Sequence, residues 1–231
     1  MKKKEKKSEL EFVSLASHQL RTPLTIMKGY LSMLLEGEFG AINNKKQKAA
    51  IAAVYSANER LVRLVENLLN FAQLEKKKIN KTNFNFSLMM KEVIKEMKPQ
   101  AKWDNLALQL VMPTKKIFIK ADELMLRQVL INLLDNAIKY TKSGKVKVVV
   151  SMKNKKLLIS VIDTGPGTDP KNLKKIFEKF ERRKVQDAND EGFGLGLYAC
   201  RIIIEVHNGK IWAQTRGKGF GFKVNIEIPI K

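Results

Sequence analysis

Apolar side chains recur along the first third of the chain in steps of three and four, at Leu10, Val13, Leu20, Leu24, Met27, Leu31 and Leu34, with the small Ser17 at the step between Val13 and Leu20. That period sets one seam on a coiled-coil-like helix. It predicts a helix from about Ser8 to Glu36, a turn over Gly37 to Asn43, and a second helix from about Asn44 to Lys76. In the second helix Val54, Ala57, Leu61, Leu64, Leu68 and Phe71 repeat the step. Two antiparallel helices cannot cover such a seam, whereas two copies packed as a four-helix bundle can, so a homodimer is expected. Lys77 to Asn83 reads as a linker, and two domains are expected, 1–78 and 79–231. Past the linker the period changes. Short β-rich runs at Ala107–Val111, Ile117–Lys120, Val146–Met152, Leu157–Ile162, Lys210–Thr215 and Phe222–Ile228 mix with helical patterns at Ser87–Ala101, Asp122–Tyr140 and Leu195–Val206. The second domain is therefore expected to be α/β.

Against this frame, His18 stands out. It falls one residue after the seam position Ser17, is turned roughly 100° from it, and is predicted to face solvent. Pro23, five residues on, has no N–H for the carbonyl of Gln19, so the helix is weakened or bent within a turn of the imidazole. A neutral imidazole with a pKa of about 6.5 is a competent nucleophile near neutrality.

Other polar residues gather where the second domain could hold a nucleotide. Asn132, Asn136, Lys139 and Tyr140 stand at i, i+4, i+7 and i+8, on one face of a predicted helix. An amide oxygen is a hard ligand acceptable to Mg²⁺, and a neighbouring lysine can neutralise phosphate. Asp163-Thr164-Gly165-Pro166-Gly167 closes a predicted buried strand. Gly192-Phe193-Gly194-Leu195-Gly196 opens a predicted helix, where glycine backbone and the helix N-terminus suit phosphate. His207 lies at a helix stop and reads as structural.

Together these strings resemble sensor histidine kinases. Ser17-His18-Gln19-Leu20-Arg21-Thr22-Pro23-Leu24 is similar to the H-box, Asn132–Thr141 to the N-box, Asp163–Gly167 to the G1 box, Phe177-Glu178-Lys179-Phe180 to the F-box, and Gly192–Leu197 to the G2 box. The resemblance covers about Ser8 to Ile230. It implies a dimerisation and phosphotransfer hairpin followed by an α/β sandwich of the Bergerat (GHKL) type. It further implies ATP and Mg²⁺ as cofactors and a response regulator receiver domain as partner. By the same resemblance His18 takes the γ-phosphoryl group, Asn136 holds Mg²⁺, Lys139 and Arg182 steady phosphates, and Asp163 accepts the adenine amino group. Asn132, Tyr140, Gly165, Gly167, Gly192, Gly194, Leu195 and Gly196 complete the nucleotide site, and Thr22 orients water for dephosphorylating the regulator. Three positions depart from the family pattern. Gln19 stands where a carboxylate is usual, Phe193 where Thr or Ser is common, and Thr168 where Ile or Met is common. An amide can hold the imidazole tautomer but offers no negative charge, which slows transfer by on the order of 10² to 10⁴ if the carboxylate is the only base. Two other readings are an ATPase of the wider GHKL superfamily and a weak, phosphatase-biased scaffold.

Composition changes this picture little. With 231 residues and 44% hydrophobic content, the chain can bury two modest cores, and no apolar run has the length of a membrane span. The expectation is a cytoplasmic protein, joined to a membrane only through segments outside this sequence. The lone Cys200 excludes an intrachain disulfide. Net charge is +21, but its lysines are scattered and lack the interleaved aromatics that stack bases, so no nucleic acid is expected.

Overall fold

The computed structural model describes residues 2–76, 79–173, 175–178, 196–215, 217 and 219–230, with backbone alone described at 2–18, 60, 63, 64 and 66–76. The chain divides into two compact units, Met1–Lys77 and Lys78–Lys231.

The first unit is a hairpin of α1 (Lys2–Glu36) and α2 (Lys45–Lys76). α1 starts six residues before the predicted Ser8, in a Lys/Glu-rich stretch whose side chains favour helix without supplying a seam. Its end is a glycine-dependent stop. Gly37 takes φ 85°, so that the Glu38 N–H reaches the Met33 carbonyl at 3.0 Å and the Gly37 N–H reaches Leu34 at 3.3 Å. α2 is capped by Asn44, whose Oδ1 accepts from the Lys46 N–H at 2.9 Å. Between the helices Leu24 and Val65 are buried, with Val62 packed against them. Most described seam residues are not covered: Leu20 is 50% exposed, Met27 47%, Val54 55% and Leu61 49%. A single hairpin thus leaves an apolar face in water, as the spacing requires.

The second unit runs β1 (Thr82–Asn85), α3 (Phe86–Trp103), β2 (Leu106–Val111), β3 (Phe118–Ala121), α4 (Glu123–Lys139), β4 (Gly144–Lys153), β5 (Lys156–Asp163), α5 (Gly196–Val206), β6 (Lys210–Gln214) and β7 (Phe222–Pro229). Five strands form a sheet in the order β2-β4-β5-β7-β6, parallel only between β2 and β4. Val146, Val148 and Val150 of β4 and Leu157, Ile159 and Val161 of β5 are buried at alternate positions, against the layer of α3, α4 and α5. β1 pairs antiparallel with β3 as a separate two-stranded sheet, with Thr82 opposite Ala121. The predicted linker therefore gives up Thr82 and Asn83 to a strand. Four residues with one buried side chain, Phe84, are too few to show a period of two.

One buried node ties three of these segments together. Asp122 caps α4, its Oδ1 accepting the Met125 N–H at 3.1 Å, while its Oδ2 accepts the Asn80 N–H at 3.0 Å. The Asp122 N–H itself donates to His207 Nε2 at 3.0 Å, just beyond α5. His207 Nδ1 lies 2.7 Å from the Ile203 carbonyl, so the neutral ring with its proton on Nδ1 satisfies both contacts. Burial holds the His207 pKa below its ordinary 6.5, assisted by Lys81 and opposed by the Ile203 carbonyl and Asp122.

A base whose folded pKa is depressed binds fewer protons folded than unfolded, so the stability it contributes is complete above the unfolded value and is lost as pH falls through 6.5 toward the lower folded value. The melting temperature of the full chain is expected to be level above about pH 7 and to decline between roughly pH 6.5 and 5. His207→Ala is expected to cost about 1–3 kcal/mol at neutral pH, because it strands the buried Asp122 N–H, and to flatten that decline; calorimetric melts of both proteins across this range check it.

Candidate functional site

α4 is amphipathic in a way that separates packing from chemistry. Leu126, Val129, Leu130, Leu133, Leu134, Ala137 and Ile138 are buried. Asn132, Asn136 and Tyr140 are half-buried on the remaining face, and Lys139 is exposed. This is the face that the i, i+4, i+7, i+8 spacing predicts. α5 lies against it. The Cys200 thiol donates to the Val129 carbonyl at 3.8 Å and is hydrogen-bonded by the Asn132 side chain. At the other end, a Cβ on Gly196 would lie 3.9 Å from Asn136 Nδ2. Asn132 and Asn136, one turn apart on α4, therefore face Cys200 and Gly196, one turn apart on α5 and running the opposite way.

That arrangement sets the electrostatics. Gly196 is the first residue of α5, so the N–H groups without intrahelical partners and the positive dipole end of an eleven-residue helix lie beside Asn136. Burial pushes the Cys200 thiol up to about 12, more than the Asn132 and backbone hydrogen bonds lower it, which leaves it protonated and inert near neutrality. At the last turn of α4 the Lys139 ammonium sits 5.4 Å from the Tyr140 ring centroid, a cation–π contact that restrains its reach.

The turn after β5 joins this face at its C-terminal end. Asp163 is buried at 7% exposure, and its Oδ1 accepts two backbone N–H groups, from Gly165 at 2.9 Å and Phe222 at 3.1 Å. The carboxylate is thereby oriented by backbone from two strand ends. Gly165 is required where it stands, since a Cβ would come 2.7 Å from the Tyr140 carbonyl and 3.2 Å from Thr141 Oγ1. Gly167, at φ 65°, meets a second glycine run: a Cβ there would fall 2.3 Å from the Gly217 carbonyl. Gly219 donates its N–H to Pro166 at 2.6 Å and Gly221 to Gly165 at 3.1 Å. A Cβ on Gly221 would lie 2.2 Å from the Asp163 carbonyl. The run Gly217, Gly219, Gly221 is absent from the residues predicted for the site. Its alternation of glycines immediately before the last strand was the available signal.

The structure thus brings Asn132, Asn136, Lys139, Tyr140, Asp163, Gly165, Gly167 and Gly196 onto α4, the β5 turn and the start of α5. Phe177, in a 3-10 turn, is buried as a packing residue, and Thr168 is buried too. Arg182, Gly192, Phe193, Gly194, Leu195 and Phe180 lie outside the described residues. In the helical unit, Gln19 and Thr22 are exposed, one turn apart, and Pro23 lies inside α1. His18 belongs to the same helix, and the solvent-facing orientation predicted for its ring lies outside what is described.

The donor set fits a magnesium nucleotide. No group of three or more His, Cys, Asp or Glu among the described residues could hold a metal ion. A single amide oxygen, that of Asn136, suits Mg²⁺, which keeps several waters and takes further oxygens from phosphate.

Residues 121–231 match the family described as histidine kinase-, DNA gyrase B- and HSP90-like ATPase, and residues 8–77 match the His Kinase A (phospho-acceptor) domain. The chain is 35% identical over 216 residues to the sensor protein KdpD of Clostridium acetobutylicum, covering 91% of this chain and 24% of that protein. It is 31% identical over 225 residues to the sensor protein SrrB of Staphylococcus aureus, covering 95% of this chain and 38% of that one. It therefore spans about a quarter to two-fifths of the length of these curated relatives. Full-length ShkA in complex with AMPPNP superposes with TM-score 0.75 at 28% identity, over 95% of this chain and 46% of that chain. The histidine kinase ThkA in complex with the response regulator TrrA gives 0.69 at 28% identity, over 99% and 64%. With a phospho-acceptor hairpin and an ATPase sandwich in one polypeptide, the chain belongs to the sensor histidine kinase family.

Proposed function

We propose that the chain is the catalytic core of a protein-histidine kinase, in which ATP bound to the α/β unit phosphorylates His18 and the phosphoryl group then passes to an aspartate of a response regulator receiver domain. The observation that carries this reading is the opposition of Asn132 and Asn136 to Cys200 and Gly196, at the end of which the Asp163 turn is locked. It sets an anion-attracting helix start beside a hard oxygen ligand, with a carboxylate suited to an amino group in the turn at that end of α4. The solved relatives with AMPPNP and with a response regulator support both ends of the reaction.

In this scheme residues 1–78 are the dimerisation and phosphotransfer domain and residues 79–231 the catalytic domain. The adenine amino group donates to Asp163, while Gly165 and Gly167 let backbone lie close to the base. Lys139 and Arg182 neutralise phosphate oxygens, with Gly192, Gly194, Leu195 and Gly196 supplying backbone N–H groups beside them. Mg²⁺, held by Asn136, supplies charge neutralisation on the phosphates. The ring nitrogen of His18 forms a P–N bond to the γ-phosphorus as the P–O bond to ADP breaks and ADP leaves with the electron pair. The Gln19 amide oxygen accepts the N–H of the far ring nitrogen and keeps the near one unprotonated; being neutral, it leaves the released proton to solvent. Thr22, one turn along, orients the water that hydrolyses the regulator's phosphoaspartate. Exposed Leu20, Met27, Val54 and Leu61 are covered by a second copy, so the acting species is a homodimer with a four-helix bundle. No described helix is long and apolar enough to cross a membrane. The cytoplasm, which supplies ATP and receiver domains, is the proposed place of action.

Incubation with γ-labelled ATP and Mg²⁺ is expected to give an acid-labile, base-stable label on the full chain that His18→Ala abolishes; label persisting in that variant sinks the assignment. Gln19→Glu is expected to raise the autophosphorylation rate by an order of magnitude or more, since it restores a charge opposite the ring, as read by single-turnover kinetics. Asp163→Asn is expected to weaken ATP binding by roughly 10- to 100-fold, the worth of a charge-assisted hydrogen bond, by calorimetric titration.

A further inference from the structure

A polar contact inside the helical unit has no part in the chemistry above. Asn58, on α2, is 4% exposed, and its Nδ2 donates to the carbonyl of Leu24 on α1 at 2.9 Å. Its Oδ1 is buried with no hydrogen-bond partner among the described residues. A half-satisfied amide is a poor choice for packing beside Leu24, Val62 and Val65, where an apolar side chain of like volume would pack without that penalty. Its value lies in the group it grips. Leu24 directly follows Pro23, which cannot bond the Gln19 carbonyl and whose ring crowds that carbonyl. The helical ladder is thus interrupted between Gln19 and Pro23, in the turn that adjoins His18. Asn58 fastens α1 at the first residue past the interruption, about 9 Å of helix rise from His18. Any bend of the segment before Pro23 has its fulcrum at a point pinned to α2.

On the histidine-kinase reading given above, we infer that Asn58 is a positioning residue for phosphoryl transfer, its bond to the Leu24 carbonyl serving as the fixed pivot for the proline-weakened turn that carries His18. The distinguishing features are that it acts only because Pro23 interrupts the helix, and that it leaves ATP binding alone, since the nucleotide residues belong to the other unit.

The informative variant is Asn58→Leu, which keeps the volume, removes the donor and relieves the unpartnered oxygen. In the full chain it is expected to hold or raise the melting temperature, leave KM for ATP unchanged, and lower the kcat of autophosphorylation by roughly tenfold, in line with the sensitivity of transfer to small misplacements. In a Pro23→Ala background, where the ladder is continuous, the same substitution is expected to change kcat by less than about twofold. Glu59→Gln, which breaks the adjacent half-buried Lys28–Glu59 ion pair at 2.8 Å, is expected to leave kcat as it was. An unchanged kcat in Asn58→Leu, or an equal loss with and without Pro23, overturns the inference. Amide hydrogen exchange reads the pivot without any phosphorylation: Asn58→Leu is expected to speed exchange across Thr22–Met27 roughly tenfold, and unaltered exchange there also overturns it. A wild-type chain that takes no label sinks the kinase reading itself, and the exchange measurement then decides the pivot alone.

Discussion

The nucleotide surface depends on a single buried junction at Asp122. Its carboxylate caps α4 and receives the chain entering from Asn80, while its backbone N–H is held by His207 at the end of α5. Both helices that face the site are thus referenced to one point, at the start of α4 and the end of α5. With α4 and α5 fixed there, their antiparallel run brings Gly196 to Asn136 at the opposite end. A neutral imidazole is well matched to this task because it accepts from one backbone group and donates to another, and burial keeps it in that form.

At the other end the constraint is steric. Gly165 lies against the Tyr140 carbonyl, and Gly221 against the Asp163 carbonyl, at separations that exclude any side chain. Backbone thereby closes around Asp163, whose carboxylate accepts two backbone N–H groups. Such a turn carries little conformational entropy to lose on binding a flat ligand. The helical unit is built on the opposite principle. Its described seam is largely exposed in one copy, and α1 is interrupted at Pro23. A backbone-locked turn in one unit and a proline-interrupted helix in the other thus occupy two parts of one chain.

Much of this was legible in advance because the signals are local. Heptad spacing located the hairpin, and the glycine at position 37 marks its stop. The i, i+4, i+7, i+8 spacing put Asn132, Asn136, Lys139 and Tyr140 on one face because a helix has only one period. β1 was illegible, since a four-residue strand takes its identity from its partner β3 and not from its own pattern. The run Gly217, Gly219, Gly221 was visible as glycines, yet nothing in it indicated that it would close over Asp163 and Pro166. His207 was read as structural, but its partner Asp122 lies 85 positions away.

The sequence by itself determined which side chains share a face, where helices stop, and which residues could attack, ligate or neutralise, because those properties follow from backbone period and functional-group chemistry. Only the tertiary structure decided what each face meets: Asn132 with Cys200, Asn136 with Gly196, Gly165 with Tyr140, Asn58 with Leu24. Those pairings arise from packing between segments far apart in the chain, where burial of apolar surface chooses the neighbour and leaves the polar groups to find partners within the space that remains.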